Sequence, residues 1–221
     1  MTRQYSNMWI KKIRQIAFYL LLIVASSLIT ITTNARELKL LALGDSLVAG
    51  YGLPKTDGFT DQLEATLNGL GIRVSVINSG VSGDTSAGGL SRVEWALASK
   101  PDAVLLELGA NDSLRGIDPK VTKDNLHNIL TKIKATGIPV LFVGMLAPPN
   151  MGKEYGLEFK SVYAELSKKH DVIFYPFFLD GVAGMPELNQ ADGIHPNKRG
   201  VVKIVNKISP YVRALLMNVK R

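Results

Sequence analysis

An apolar run ends on Gly44, Asp45 and Ser46 in KLLALGDSLVAGYG, residues 39–52. A serine at such a place can cap a turn, bind a ligand or attack a carbonyl. Attack needs a base to take the hydroxyl proton and donors to hold the oxyanion that forms. The chain holds three histidines. His127 lies inside DNLHNIL and reads as a surface or packing residue. His170 ends an amphipathic stretch before DVIFYPFF, where a helix C-terminus favours it. His195 lies in ADGIHPN with Asp192 three residues before it. In a tight turn that carboxylate reaches the imidazole Nδ1–H and leaves Nε2 free as a base. Without Ser46, the same spacing reads as an aspartate capping a turn. Oxyanion donors are available too. Ser46 offers its own N–H. Gly83, in VSGDT, has no side chain to keep a ligand from its N–H, and Asn111, in LGANDS, offers an amide. Singly, Gly83 reads as a turn glycine and Asn111 as an Asx turn. Together the five residues supply nucleophile, base, orienter and oxyanion donors, the parts needed for acyl transfer.

These residues lie far apart in the chain, so the fold must bring them together. Apolar runs predict strands over 37–43, 72–78, 101–109, 138–146 and 171–178. Helical spacing predicts helices over 57–71, 89–100, 118–137 and 156–170, with a last helix over 198–220 broken near Pro210. Strands alternating with helices imply a central five-stranded parallel sheet covered on both faces, a three-layer α/β/α sandwich. In such a sheet the strand C-terminal ends share one edge, and ligands bind there. That edge carries GDSLVAGYGLPKTDG, SGVSGDTSAGG, GANDSLRG and APPNMGKEYG, with LNQADGIHPNKRG ahead of the last helix.

Composition narrows the function further. The first 35 residues carry Arg3, Lys11, Lys12 and Arg14, then no charge from Gln15 to Ala35, with small Thr33 and Ala35 at the end. That is the plan of a secretory signal with cleavage after Ala35; the alternative is an uncleaved membrane anchor, for which the apolar run is just short. The mature chain, 36–221, then forms one domain, expected in the periplasm or secreted and without stable membrane insertion. The whole chain is +7; losing four of its 26 basic residues and none of its 19 acids leaves +3. So mild an excess argues against nucleic acid as a partner. The absence of cysteine removes disulfides, thiol catalysis and cysteine metal sites.

GDSLVAGYG, NSGVSGDTS, LGANDSLRG and DGIHPN resemble, in order and spacing, the four blocks of the SGNH (GDSL) hydrolase family. Within it, GDSLVAGYGLP, PFFLDGV and the signal are most similar to the bacterial periplasmic thioesterase/lysophospholipase (arylesterase) group. The resemblance implies a flavodoxin-like SGNH hydrolase fold. It also implies Ser46 as nucleophile, His195 as base, Asp192 as its partner, and Ser46, Gly83 and Asn111 as the oxyanion hole. Expected substrates are small acyl esters or thioesters, lysophospholipids among them, handled by a monomer without metal or cofactor. Like the family, the chain lacks a G-x-S-x-G elbow around Ser46. The two glycines of TSAGGLSR bear on flexibility near Gly83. The 145–157 loop resembles the group's switch-like loop, and Leu47, Leu146, Pro148, Met151, Tyr155 and Leu157 are candidates for an acyl groove. Two other readings stay open. One is a carbohydrate O-deacetylase or acetyltransferase on the same scaffold. The other is a non-catalytic flavodoxin-like module with Ser46 and Gly83 cradling an anion, which has no need for Asp192 and His195.

Overall fold

A computed structural model describes Trp9, Arg14, Gln15, Ala17 and residues 36–219. The chain divides into two units, Met1–Arg36 and Glu37–Arg221. The expected signal and its cleavage point lie outside the described residues, apart from those four.

The second unit runs β1 (Leu38–Gly44), α1 (Ser46–Ala49), α2 (Phe59–Gly69), β2 (Val74–Gly80), α3 (Ser86–Leu97), β3 (Ala103–Glu107), α4 (Ala110–Leu114), α5 (Pro119–Ala135), β4 (Val140–Val143), α6 (Lys153–His170), β5 (Ile173–Tyr175) and α7 (Lys198–Met217). The five strands form one parallel sheet in the order β2-β1-β3-β4-β5, with Leu41 opposite both Ile77 and Val104. Every residue of β3 and β4 is buried, as expected of central strands covered on both faces. On one side α2 packs against α7; on the other α5 packs against both α3 and α6. Leu126, Ile129, Leu130 and Ile133 show how α5 does this, since their spacing puts all four on one buried face.

The strand order places the site. The chain steps outward from β1 to β2, then returns across β1 to β3 and continues the other way. The tips of β1 and β3 therefore flank the point where the order reverses, the usual crevice of such sheets. Ser46 follows β1 and Asn111 lies just past β3.

Four expectations change. The strand-tip segments GDSL and GANDSL are not open loops, because α1 and α4 turn them into short helices. Helix α3 starts at Ser86 and takes in Gly88 and Gly89, because the Thr85 hydroxyl accepts the Gly88 N–H at 3.3 Å and caps it. Helix α6 starts at Lys153, so the expected 145–157 loop ends as helix. Pro210 does not break α7, which is continuous to Met217. The carbonyl that Pro210 cannot bond belongs to exposed Asn206, where water can take it.

Candidate active site

Ser46 is the first residue of α1, and the cap of that helix is Asp45, whose Oδ1 accepts the Leu47 N–H at 3.0 Å. The serine hydroxyl is thus not used for capping. It lies 2.9 Å from His195 Nε2. His195 Nδ1 in turn lies 2.7 Å from Asp192 Oδ2, while Asp192 Oδ1 accepts the N–H groups of Ile194 at 2.9 Å and His195 at 3.0 Å. Those contacts, the His195 N–H foremost, pull the Asp192 carboxyl down to about 2. It is ionised at neutral pH and so accepts from Nδ1–H, which leaves Nε2 as the acceptor facing Ser46. The turn is held from behind by α7, because Asn197 caps that helix through Arg199 N–H at 2.9 Å and Gly200 N–H at 3.1 Å. The Tyr51 ring lies against the imidazole, centroids 4.6 Å apart.

Gly83 sits at φ +80°, a backbone conformation that L side chains rarely adopt. Its carbonyl accepts from Arg115 Nη2 at 2.7 Å. Among the described residues, neither the Ser46 nor the Gly83 N–H has a hydrogen-bond partner. Asn111 differs. Its Nδ2 donates to Asp84 O at 2.9 Å and to Asp45 Oδ2 at 3.2 Å, so both amide hydrogens are engaged. An oxyanion would have to share one of them.

Several residues that build this edge have no signal in the sequence. Arg92, on α3, ties the strand tips together: Nε meets Asp84 Oδ2 at 2.7 Å, Nη1 meets Ser79 O at 2.9 Å, and Nη2 meets Gly44 O at 2.9 Å. Asp112 is fully buried and accepts from Ser86 N–H at 2.8 Å, the Ser86 hydroxyl and Thr122 Oγ1 at 3.1 Å, joining α3, α4 and α5. Glu107 is fully buried at the end of β3, where its Oε2 accepts the Asp45 N–H at 3.3 Å. Burial, then the Asp45 charge, pushes the Glu107 carboxyl well above its usual range; burial also raises Asp45 to about 6. A buried residue facing another strand tip carries no periodicity by which to find it.

Apolar space lies on two sides. Leu47 borders a small cleft with Ser46, Tyr51, Phe178 and His195. A larger groove of about 410 Å³ is lined by Leu114, Leu146, Pro148, Phe177, Leu179 and Ile194, among others. It also includes Ala110 and Ile194, the residues just before Asn111 and His195, so it opens beside the site. Met151 and Tyr155 border neither space. Met151 lies beside Gly116; Tyr155 stacks on Phe159 and donates its hydroxyl to Ile117 O at 2.7 Å. Leu157 is exposed on α6. The structure therefore places Leu47, Leu146 and Pro148 at apolar space near Ser46, but not Met151, Tyr155 or Leu157. His127 and His170 pair with each other, Nδ1 to Nε2 at 2.7 Å. Among the described residues, no group of three or more His, Cys, Asp or Glu side chains could hold a metal ion, and no helix is long and apolar enough to cross a membrane.

Residues 42–201 match the GDSL-like lipase/acylhydrolase family. The esterase TesA of Pseudomonas aeruginosa is 39% identical over 89% of this chain and 98% of that protein. Thioesterase 1/protease 1/lysophospholipase L1 of Escherichia coli K12 is 40% identical over 72% of this chain and 76% of that protein. The crystal structure of the psychrotrophic esterase EstA from Pseudoalteromonas sp., inhibited by monoethylphosphonate, superposes with a TM-score of 0.78 at 33% identity, covering 82% of this chain and all of that one. With the family matched across the sheet, the strand tips and the His195 turn, this chain belongs to the GDSL-like lipase/acylhydrolase family and is an ester-bond hydrolase of the SGNH fold.

Proposed function

We propose that the chain cleaves esters and thioesters of small acyl substrates, lysophospholipids and aryl esters among them, through a covalent acyl-enzyme on Ser46. The observation that carries this reading is the unbroken line from Asp192 through His195 to Ser46, with contacts of 2.7 and 2.9 Å. His195 Nε2 takes the proton from Ser46 Oγ as the oxygen attacks the carbonyl carbon. The carbonyl electron pair moves onto oxygen, which the Ser46 N–H, the Gly83 N–H and the Asn111 amide receive. Each such donor is worth about 3 kcal/mol in the transition state. Asp192 holds the imidazolium but does not take its proton. When the carbonyl reforms, the alcohol or thiol leaves with the proton from His195. Water then attacks the acyl-enzyme by the same path, and the carboxylic acid is released.

The groove beside Ile194 holds the acyl chain, which favours chains longer than acetyl; every methylene buried there adds about 0.8 kcal/mol. Residues 1–35 direct export and are cut after Ala35, leaving the enzyme periplasmic or secreted. A series of p-nitrophenyl esters of increasing acyl length, with an acyl-CoA alongside, tests the substrate class. Rates that rise from acetate to the medium chains support the groove; a sharp preference for acetate contradicts it. Ser46→Ala should abolish turnover of both ester and thioester while leaving the fold intact, and full residual turnover contradicts the nucleophile. The intact mass of protein exported by a Gram-negative host reads the cleavage point.

A further inference from the structure

Gln190 lies outside the Asp192, His195 and Ser46 contacts, yet its side chain joins the two segments that carry them. Its Nε2 donates one hydrogen to Tyr51 O at 2.8 Å and the other to Pro196 O at 3.0 Å. Tyr51 follows Ser46 by five residues and lays its ring on His195; Pro196 directly follows His195. The main chain of Gln190 belongs to the His195 turn as well, since its N–H donates to His195 O at 2.7 Å and its carbonyl accepts the Gly193 N–H at 3.0 Å. The amide is fitted closely. Gly52 stands at φ +73°, and a Cβ there would come 2.1 Å from Gln190 Oε1. Besides the contact between Ser46 and His195 and the Tyr51 ring on His195, these segments are linked by the ion pair of Lys198 with Asp57 at 3.0 Å. The Lys198 side chain is 66% exposed, so that pair holds the gap only weakly.

We propose that Gln190 is a positioning residue that sets the distance between Ser46 Oγ and His195 Nε2 by tying Tyr51 O to Pro196 O. The inference rests on the reading of Ser46 and His195 as nucleophile and base. Tyr51, just past α1, lies on one side of the gap and Pro196, just ahead of α7, on the other, and the amide spans them with both of its donors. Removing the donors frees the His195 turn to drift, while the groove walls on other segments, Leu114, Leu146, Pro148, Phe177 and Leu179, stay in place. The cost therefore falls on proton transfer and not on binding.

Gln190→Met keeps the side-chain volume and removes both donors. With a p-nitrophenyl ester, kcat is expected to fall about 10- to 100-fold, the scale of a small misplacement of reacting groups. KM should stay within about twofold. In a His195→Ala background the same substitution should leave the residual turnover unchanged, because no imidazole remains to be misplaced. Gln190→Asn, whose amide is one methylene too short to reach both carbonyls, should repeat the loss and serves if the Met variant does not fold. An unchanged kcat in a folded variant, or the same fold-loss with and without His195, overturns the proposal. So does failure of both variants to fold, which would assign Gln190 to stability alone. A failure of the underlying reading looks different, because His195→Ala by itself would then keep wild-type turnover.

Discussion

Asp192→Asn tests how the base is prepared. Asp192 Oδ1 accepts two backbone N–H groups, at 2.9 and 3.0 Å, and Oδ2 accepts from His195 Nδ1 at 2.7 Å. Asparagine has one acceptor oxygen for these three donors. If the two backbone groups keep it, the NH2 turns toward Nδ1, and Nδ1 must then accept. The ring proton moves to Nε2, which faces Ser46 Oγ and can no longer take its proton. Flipping the amide restores the working tautomer but sets NH2 against two N–H groups. Each lost bond costs about 1–3 kcal/mol, so the active tautomer lies roughly 2–6 kcal/mol uphill. At about 1.4 kcal/mol per factor of ten, that is a loss between roughly 30-fold and 10⁴-fold. The Asp192 side chain is 37% exposed, so water relieves part of the cost and the expected loss in kcat is about 10²- to 10³-fold. Asp192→Ala lets water accept from Nδ1–H and leaves the tautomer free, so its loss should be smaller than that of the Asn variant. Steady-state hydrolysis of a p-nitrophenyl ester by both variants reads the order. An Asn variant within about threefold of wild type, or an Ala variant slower than the Asn one, refutes the tautomer argument.

Two further outcomes follow from the carboxyl groups behind the site. Burial raises Asp45 and Glu107, so the folded chain holds protons that the unfolded chain releases above about pH 4, and stability falls as pH rises from there through the folded values. Glu107→Gln removes the Glu107 share, so in urea denaturation its advantage over wild type should be larger near pH 8 than near pH 4.5; equal differences at the two pH values would count against a raised Glu107. Asp112→Ala strands the Ser86 N–H and hydroxyl and the Thr122 hydroxyl in the interior, and should lower unfolding stability by about 2–4 kcal/mol, whereas Asp124→Ala, on the exposed face of α5, should leave the urea midpoint nearly unchanged.

The order of strands and helices was readable because long apolar runs and 3.6-residue spacing mark them, as in Leu126, Ile129, Leu130 and Ile133 of α5. Ser46, Asp192 and His195 were readable because their types and blocks stand out, and the structure brings them within hydrogen-bonding distance. What escaped the sequence is short or long-range. Helices α1 and α4 are four and five residues long, too brief to show a period. Helix α3 begins three residues early, at Ser86, and runs through Gly88, because Thr85 supplies a cap that local propensity does not show. Met151 and Tyr155 lie in the right segment, but the short 3-10 turn Pro149–Met151 and the early start of α6 set them against the turn at Gly116 and Ile117. Arg92, Glu107 and Gln190 act on partners far along the chain, and nothing beside them in the sequence marks those contacts.

Reaction with a fluorophosphonate, followed by peptide mapping, tests the central claim most directly. A hydroxyl activated by His195 should take one phosphonyl group per chain, on the peptide carrying Ser46, with turnover lost in step; Ser46→Ala should take none. Label on another residue, or turnover that survives full labelling of Ser46, would contradict the account.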